Sequence, residues 1–338
     1  MNYPKTRLRR LRYNKNIRKL FEDININKSD LIQPIFIVEG DNIKKEIKSL
    51  KGQYQLSIDN TITFCKELIE NGINSIILFG VSSKKDETGE ISCSSESIIP
   101  KAIKEIKKTY DDQLLVIADV CNCSYTNHGH CGTIVNDDVD NDLTLKTLSK
   151  QSLTLAEAGA DVLAPSDMMD GRVESIRATL DASGYEKIPI FSYSVKYASA
   201  FYGPFRDAVG SGPKKGDRKT YQMSFKNSKE YLREIEQDLN EGADAIIIKP
   251  ALAYLDIINV AKTNYNIPII AYNVSGEYSM IKSSAENGHI NEIEVVLETI
   301  YAMKRAGANA IITYYALELS KNLRSVSYTH LTLPTKQD

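Results

Sequence analysis

Eight short, almost uninterrupted apolar runs constrain the fold of this 338-residue chain more than any other feature of its sequence. They span residues 31–38, 75–81, 114–121, 162–166, 188–195, 245–250, 267–274 and 310–316. Amphipathic segments typical of helices separate them, at residues 61–71, 97–109, 143–158, 229–241 and 292–306. Strands covered on both faces in a parallel sheet are hydrophobic throughout, whereas half-exposed strands alternate. The pattern therefore predicts eight βα units.

A weak internal repeat supports this prediction. Four similar segments end a helical pattern and lead into a strand: Asn71-Gly-Ile-Asn, Ala158-Gly-Ala-Asp, Glu241-Gly-Ala-Asp and Ala306-Gly-Ala-Asn. Glycine at these points supplies the left-handed cap with which many helices end. Eight βα units in one chain favour an α/β fold, a (β/α)8 TIM barrel beginning near residue 31. A doubly wound open sheet is the alternative, but no G-x-G-x-x-G motif follows the first strand.

Composition limits the environment and the partners of the chain. A net charge of −2 gives no general attraction to nucleic acid or to an anionic membrane, and no apolar run reaches the length of a transmembrane helix. Five cysteines, an odd number in a large chain, argue against a disulfide framework and for a reducing compartment. We therefore expect a cytoplasmic protein, or one of an organelle stroma or matrix, without nucleic-acid or membrane partners.

The first 30 residues form a basic segment, in which eight lysines and arginines precede the first acidic residue, Glu22. A transit peptide or a nucleic-acid-binding patch can have this composition. No apolar stretch follows Arg9-Arg10, so a secretory signal is not expected. We favour an extended N-terminal arm, residues 1–30, that packs on a neighbouring subunit.

Polar residues end several of the strands, and in a TIM barrel the chemistry lies at the carboxyl ends of the strands. They are Asp119, Ser166, Asp167, Asp170, Lys196, Lys249, Ser275 and Tyr314. Burial and a second ammonium group lower the pKa of a lysine, and lowering it from about 10.4 to near 7 costs about 4–5 kcal/mol. A fold tolerates this cost where a neutral amine must form a Schiff base. The two lysines predict such chemistry; the alternative is that they form ion pairs with the aspartates.

A long segment containing glycine and proline, residues 202–222, follows the fifth strand. A loop of this length in a compact barrel is usually functional, often as a lid. Its Arg206 and Arg218 can clamp a carboxylate, although a surface loop with solvated arginines is the alternative. The hydroxyl groups of Ser275 and Tyr314 are candidate donors to a second carboxylate.

Three cysteines follow the third strand. Cys121 and Cys123 are two residues apart, so their side chains point to the same side of an extended backbone, and Cys131 returns after a loop that contains Gly129. Three thiolates indicate a zinc site, and fewer than four protein ligands is typical of catalytic zinc. His128 and His130 are candidates for additional or supporting ligands. The alternative is three buried or redox-active thiols.

The motifs together are similar to those of the porphobilinogen synthase (5-aminolevulinate dehydratase) family. The resemblance runs from about residue 5 to about residue 322. It is carried by Asp119-Val-Cys-x-Cys-x-Tyr-Thr-x-His-Gly-His-Cys-Gly132, Leu163-Ala-Pro-Ser-Asp-Met-Met-Asp-Gly-Arg172, Ser192-Tyr-Ser-Val-Lys-Tyr-Ala-Ser199, Phe201-Tyr-Gly-Pro-Phe-Arg-Asp207, Asp217-Arg-Lys-Thr-Tyr-Gln-Met223, Lys249-Pro-Ala-x-Ala-Tyr-Leu-Asp256 and Tyr272-Asn-Val-Ser-Gly-Glu-Tyr278.

The resemblance implies a lyase of tetrapyrrole (heme, porphyrin) biosynthesis that condenses two 5-aminolevulinate molecules to porphobilinogen with loss of two waters. It implies that Lys249 binds the first substrate as a Schiff base, with its carboxylate at Ser275 and Tyr314. Lys196 would hold the second substrate, also through a Schiff base, with its carboxylate at Arg206, Arg218 and Gln222. Cys121, Cys123 and Cys131 would bind zinc, Asp119 would help move protons, and Glu234 matches a ligand of an allosteric magnesium site.

The resemblance also implies a homo-octamer in which each arm embraces a neighbour, and a catalytic barrel over residues 31–323. Residues 324–338 resemble nothing in the family, and we expect this tail not to be part of the fold. Two other functions remain open from the residues alone. One is another Schiff-base, aldolase-like barrel; the other is a non-catalytic zinc scaffold whose lysines are charged and paired.

Overall fold

The computed structural model describes residues 2–323 and contains the predicted barrel. Twelve strands are formed in the described residues: β1 (Leu31–Val38), β2 (Lys44–Glu46), β3 (Tyr54–Leu56), β4 (Ser75–Val81), β5 (Leu115–Val120), β6 (Ile134–Val135), β7 (Asp138–Val139), β8 (Val162–Pro165), β9 (Phe191–Lys196), β10 (Ala245–Lys249), β11 (Ile269–Asn273) and β12 (Ala310–Thr313). Eight of them are parallel neighbours in the order β8-β5-β4-β1-β12-β11-β10-β9. Each of the eight predicted runs overlaps one of these strands, so the prediction of a (β/α)8 barrel is confirmed.

The helices lie between the strands as the amphipathic segments predict. They are α1 (Lys15–Leu20), α2 (Ile58–Glu70), α3 (Ile98–Tyr110), α4 (Asn141–Glu157), α5 (Arg172–Ala182), α6 (Gly203–Val209), α7 (Glu230–Asn240), α8 (Leu255–Asn264), α9 (Ser275–Glu286), α10 (Glu292–Ala306) and α11 (Ala316–Asn322). The repeated glycines Gly72, Gly159, Gly242 and Gly307 all have positive φ. This is the backbone conformation that glycine adopts without steric cost, which explains the repeat.

The barrel strands are buried on both faces. Ile246, Ile247 and Ile248 of β10 are all 0% exposed, and the other barrel strands contribute similarly to one core. Their near-continuous hydrophobicity follows from this environment, because the strands pack inward on each other and outward on the helices. Outside the barrel, β2 and β3 form an antiparallel hairpin whose second strand pairs with β1.

The barrel closes between β8 and β9, where a single isolated bridge joins Leu163 and Ile190. Side chains supplement this contact. Arg172, at the start of α5, is 2% exposed and donates to the Ser192 hydroxyl at 2.9 Å and to the Tyr193 carbonyl at 3.3 Å. Its guanidinium also pairs with Asp238 at 2.9 Å. The gap in the backbone ladder is therefore filled by a buried charged network.

The N-terminal segment projects large apolar side chains into solvent. Leu8, Leu11 and Tyr13 are 70%, 55% and 81% exposed, and Leu20 and Phe21 are also exposed. Isolated exposed apolar residues are common, but a run of them in one short segment is typical of a surface that contacts another chain. Among residues 2–323, the structure has no helix that is both long enough and apolar enough to span a membrane. The tail predicted at residues 324–338 lies outside the described residues.

Candidate active site

Lys196 and Lys249 lie side by side at the carboxyl ends of β9 and β10, where they are direct partners in the strand register. Their side chains are 5% and 4% exposed. No carboxylate oxygen within residues 2–323 comes within 4.0 Å of either ammonium group, so the ion pairs considered as the alternative are not formed. Lys196 instead donates a hydrogen bond to the backbone carbonyl of Ser166. The two lysines predicted to act together are neighbours inside the barrel.

Four aromatic rings surround the Nζ atom of Lys249. Their centroids lie 4.1 Å (Tyr272), 4.8 Å (Phe205), 5.2 Å (Tyr193) and 5.3 Å (Tyr202) from it. Burial, and then the charge of Lys196, lowers the pKa of Lys249 to about 7. The faces of the rings attract a cation and partly offset this effect. The motifs do not point to these rings: Tyr193 and Tyr272 lie within the barrel strands β9 and β11, and Tyr202 and Phe205 lie in the segment that follows β9.

Asp119 is the last residue but one of β5 and lines the same small cavity as the two lysines. Burial raises the pKa of its carboxyl group to about 7, against the opposing effect of Lys196 and Lys249. Its Oδ1 atom has no hydrogen-bond partner within the described chain. A carboxyl group that titrates near neutrality beside an amine is suited to proton transfer.

The three cysteines form the cluster that the sequence predicts. The Sγ atoms of Cys121, Cys123 and Cys131 all lie within 4.8 Å of one another, and all three residues are buried. Sulfur ligands of a tetrahedral zinc ion, with Zn–S bonds of about 2.3 Å, lie about 3.8 Å apart, so this limit on the spacing is compatible with a shared ion. Hydrogen bonds from the Cys121 and Cys131 thiols lower the pKa of Cys123 below its usual range, so one thiolate is favoured even without an ion. Three buried sulfur donors around a common point fit a zinc ion.

The two histidines of the cysteine loop contact other segments rather than this cluster. The Nδ1 atom of His130 is hydrogen-bonded to the Tyr221 hydroxyl at 3.1 Å, and its Nε2 atom to the Lys215 carbonyl at 2.8 Å. His128 Nε2 lies 3.0 Å from the Glu87 carbonyl. Both nitrogens of His130 are therefore used to hold the segment after α6 against the cysteine loop.

Arg206 of α6 and Arg218 of the following segment point into the cavity beside the lysines. Arg218 is 6% exposed and donates to the carbonyls of Gly129 at 2.8 Å and Ser211 at 2.6 Å. Neither guanidinium has a carboxylate partner within 4.0 Å in residues 2–323. Two buried or half-buried guanidinium groups without a carboxylate partner are suited to bind the carboxylate of a ligand.

The cavity between these groups is small: about 20 Å³ is open to the centre of a water-sized sphere, which is enough to hold a water molecule. Its walls are Asp119, Cys123, Ser124, Ser166, Lys196, Tyr202, Phe205, Arg206, Arg218 and Lys249. The cavity is therefore narrow, and both the barrel strands and the segment that carries the arginines contribute to its walls.

Ser275 and Tyr314 lie next to the rings around Lys249. The Ser275 hydroxyl accepts a hydrogen bond from the Phe205 backbone N–H at 3.0 Å and donates to the Phe201 carbonyl at 3.3 Å. The Tyr314 hydroxyl is 3.3 Å from that of Tyr272. Ser275 thus contacts Phe205 and Tyr314 contacts Tyr272, and the rings of Phe205 and Tyr272 both lie within 5 Å of the Lys249 amine.

Gln222 and Glu234 line a different, larger cavity of about 450 Å³, together with Asp170. Neither the oxygen nor the nitrogen of the Gln222 amide has a partner in the described part of the chain. Burial raises the pKa of Glu234 to about 7. The structure thus separates these two residues from the cavity that contains both lysines.

Comparison with known proteins adds to this geometry. The family model described as delta-aminolevulinic acid dehydratase matches residues 5–322. Proteins of that name from Staphylococcus aureus and Staphylococcus epidermidis are each 52% identical over 319 residues, which is 94% of this chain and 98% of theirs. The crystal structure of delta-aminolevulinic acid dehydratase (porphobilinogen synthase) from Toxoplasma gondii, in complex with the reaction product porphobilinogen, superimposes with a TM-score of 0.92 at 42% identity. The match covers 94% of this chain and 91% of that one.

Proposed function

Since the chain belongs to the delta-aminolevulinic acid dehydratase family, we propose that it is a lyase of porphyrin biosynthesis that condenses two 5-aminolevulinate molecules to porphobilinogen. Two waters leave in the reaction. The observation that carries the proposal is the pair of lysines, adjacent in register and buried, with a three-thiol cluster at the same end of the barrel. A lowered lysine pKa together with a thiolate metal site suits the joining of two carbonyl substrates.

Lys249 binds the first substrate. Because its pKa is lowered to about 7, a large fraction of the amine is neutral at physiological pH and attacks the substrate ketone. The carbonyl oxygen leaves as water and a Schiff base remains on Nζ. The hydroxyl groups of Ser275 and Tyr314 bind the carboxylate of this substrate, which is supported by their position next to the rings around Lys249.

Lys196 holds the second substrate, whose carboxylate binds to Arg206 and Arg218. The two guanidinium groups line the cavity without an acidic partner in residues 2–323, which supports this role. Gln222 contributes a further amide once the segment that carries it moves; its unpartnered amide supports this assignment. Asp119 exchanges protons with the bound substrates, since its carboxyl group titrates near neutrality.

Cys121, Cys123 and Cys131 would bind the zinc ion of the family's zinc-dependent members. When bound there, a zinc ion would supply Lewis acidity beside the cavity that Cys123 lines. The cysteine loop itself contributes geometry: Cys123 lines the lysine cavity, and the neighbouring His130 fixes the segment that carries Arg218. Free thiols in this arrangement are best maintained in a reducing compartment such as the cytoplasm.

Glu234 is proposed as a ligand of an allosteric magnesium ion. It shares its cavity with Asp170, and oxygen ligands of this kind suit magnesium. Addition of magnesium should raise the activity of the wild type but not that of Glu234→Gln. The variant Glu236→Gln, which alters an exposed carboxylate of the same helix, is the matched control. An equal response in all three proteins would remove Glu234 from this role.

The exposed apolar residues of the arm support the proposal that residues 1–30 embrace a neighbour in a homo-octamer. Sedimentation of the full chain and of a chain lacking residues 1–20 tests this. The full chain should have the mass of eight copies and the shortened chain a smaller assembly. Identical masses would contradict the proposed role of the arm.

The central experiment measures porphobilinogen formation from 5-aminolevulinate with and without zinc, together with borohydride trapping of the enzyme-bound imine. Lys249→Met should form no product and should carry no adduct at position 249. Lys282→Met, which removes a lysine that is ion-paired outside the site, should retain both. A metal-loaded wild type that yields neither product nor adduct would refute the proposed function.

A further inference from the structure

Glu277 is a buried carboxylate to which neither the motifs nor the proposed reaction assigns a task. It lies in the first turn of α9, two residues after Ser275, and is 1% exposed. No lysine, arginine or histidine within residues 2–323 forms an ion pair with it. Burial of an unpaired carboxylate is costly unless hydrogen bonds compensate, so its contacts indicate what it does.

Both oxygens of Glu277 accept hydrogen bonds from groups that are fixed in place. Oε1 accepts from the backbone N–H of Leu252 at 2.8 Å. Oε2 accepts from the backbone N–H of Val274 and from the side-chain amide of Asn273, both at 3.0 Å. Leu252 is three residues after Lys249, whereas Val274 directly precedes Ser275. One carboxylate therefore joins the loop that follows the Schiff-base lysine to the turn that presents the serine.

The connection extends to a third strand. The Asn273 oxygen accepts a hydrogen bond from the Thr313 hydroxyl at 2.9 Å. The Thr313 hydroxyl oxygen in turn accepts from the backbone N–H of Tyr315 at 3.2 Å, on the far side of Tyr314. The carboxyl ends of β10, β11 and β12 are thus linked by Glu277, Asn273 and Thr313. These are the strand ends that deliver Lys249, Ser275 and Tyr314.

We propose that Glu277 is a positioning residue for the first substrate, because it sets the distance between the amine of Lys249 and the hydroxyl groups that bind the substrate carboxylate. This inference rests on the proposed function. A bound 5-aminolevulinate must bring its ketone to Nζ and its carboxylate to the two hydroxyl groups at once. Only two methylene groups separate its ketone from its carboxylate, so an error in that distance weakens binding even when each group is intact.

The role requires a carboxylate rather than an amide. Every contact of Glu277 is with an N–H donor, on both oxygens. A glutamine would have to turn its own NH2 group toward one of these donors, and flipping the amide only moves the conflict to the other side. At least one buried N–H would lose its acceptor, and the loop after Lys249 and the turn before Ser275 would no longer be held together on that side.

Glu241 provides a matched control. It is also buried, and it also accepts from two backbone N–H groups, those of Val173 and Glu174, and from one side-chain amide, that of Gln237. These contacts hold the start of α5 to the end of α7, away from Lys249, Ser275 and Tyr314. A loss of stability alone should therefore be similar in Glu241→Gln and Glu277→Gln.

The test compares the wild type with Glu277→Gln and Glu241→Gln as complete, metal-loaded chains. For each, the concentration of 5-aminolevulinate that half-saturates trapping at Lys249 is measured by borohydride reduction and peptide mass spectrometry, beside KM, kcat and the thermal midpoint. We expect Glu277→Gln to raise the half-saturating concentration at least tenfold. Glu241→Gln should leave it within twofold, with a comparable fall in the thermal midpoint.

A rescue variant separates positioning from general damage. In Glu277→Gln combined with Asn273→Asp, the new amide donates to the new carboxylate, which still accepts from Thr313. This double variant should recover part of the lost affinity. Equal half-saturation in all variants would overturn the inference while leaving the proposed function intact, whereas a wild type without adduct or product would refute the proposed function itself.

Discussion

The pH dependence of imine formation at Lys249 is the most direct test of the active-site electrostatics. Burial beside Lys196 lowers the pKa of this amine to about 7. About half of the amine is then neutral at pH 7, against roughly 0.04% for a lysine with the reference pKa of about 10.4. Between pH 7 and pH 5 the neutral fraction, and with it the rate of imine formation, should fall by about 50-fold. Above pH 8 the rate should be constant to within about twofold.

The assay mixes enzyme and 5-aminolevulinate at each pH, reduces the imine with cyanoborohydride and counts the modified Lys249 peptide by mass spectrometry. Lys249→Met supplies the background. An ordinary lysine would give a rate that rises about tenfold with each pH unit up to about pH 10. A rate that still increases in this way between pH 8 and pH 9 would refute the conclusion that burial and Lys196 keep Lys249 largely neutral.

Substitutions at Lys249, Cys123 and Gly276 test three other features of the structure. Lys249→Met should raise the free energy of unfolding at pH 7, measured by chemical denaturation, by up to about 4 kcal/mol. The reason is that a lysine whose pKa is lowered on folding destabilises the folded state at every pH below its unfolded pKa. The gain in stability should disappear as the pH approaches 10. Cys123→Ala should lose bound zinc, measured by metal analysis, and porphobilinogen formation, yet keep the trapped adduct on Lys249, since the cluster serves the second substrate. Gly276→Ala should lower stability by about 1–3 kcal/mol in the same denaturation assay, because its Cβ would lie 2.5 Å from the Phe201 carbonyl oxygen, whereas Gly203→Ala meets no atom within 4 Å and should not.

The positions of the barrel strands follow from the sequence because a parallel barrel requires strands that are apolar on both faces. The predicted ends of the strands differ from the observed ends. The predicted run 188–195 begins three residues before β9, and the run 310–316 extends three residues beyond β12. Apolar residues continue past the last ladder hydrogen bond in the core, so hydrophobicity does not mark the end of a strand. Residues at the strand ends, such as Lys249 and Asp119, were nevertheless predictable, because the chemistry of a barrel is confined to one face.

The environment of Lys249 was not predictable. Tyr193 and Lys196 are three residues apart, so a regular strand would place them on opposite faces. The register between β9 and β10 shifts, however, since Ile246 pairs with Ser192 and Ile248 with Val195. This one-residue irregularity brings Tyr193 and Lys196 to the same side, where Lys196 Nζ lies 5.6 Å from the tyrosine ring. Nothing local in the sequence marks such a bulge.

The contact between the cysteine loop and the segment after α6 was also not predictable from the sequence. His130 meets Lys215 and Tyr221 across 85 and 91 residues of chain. From its position in the sequence alone, a histidine close to three cysteines is a candidate metal ligand, because either imidazole nitrogen can bind a metal ion. Only the folded loop reveals that both are already engaged elsewhere.

The barrel closes between β8 and β9 at a seam, by which we mean the contact between these two strands, and side chains hold this seam more than backbone hydrogen bonds do. Backbone pairing there is reduced to the Leu163–Ile190 bridge, and the remaining links are the side chains of Arg172 and Lys196, the latter reaching across to the Ser166 carbonyl. Imine formation on Lys196 would consume donors of that link, so occupancy of the second subsite would loosen the seam. Hydrogen exchange at the amides of β8 and β9 should therefore quicken when a substrate is trapped on Lys196 and remain unchanged when one is trapped on Lys249. In this barrel, Lys196 would then both bind a substrate and control the local opening of the sheet between β8 and β9.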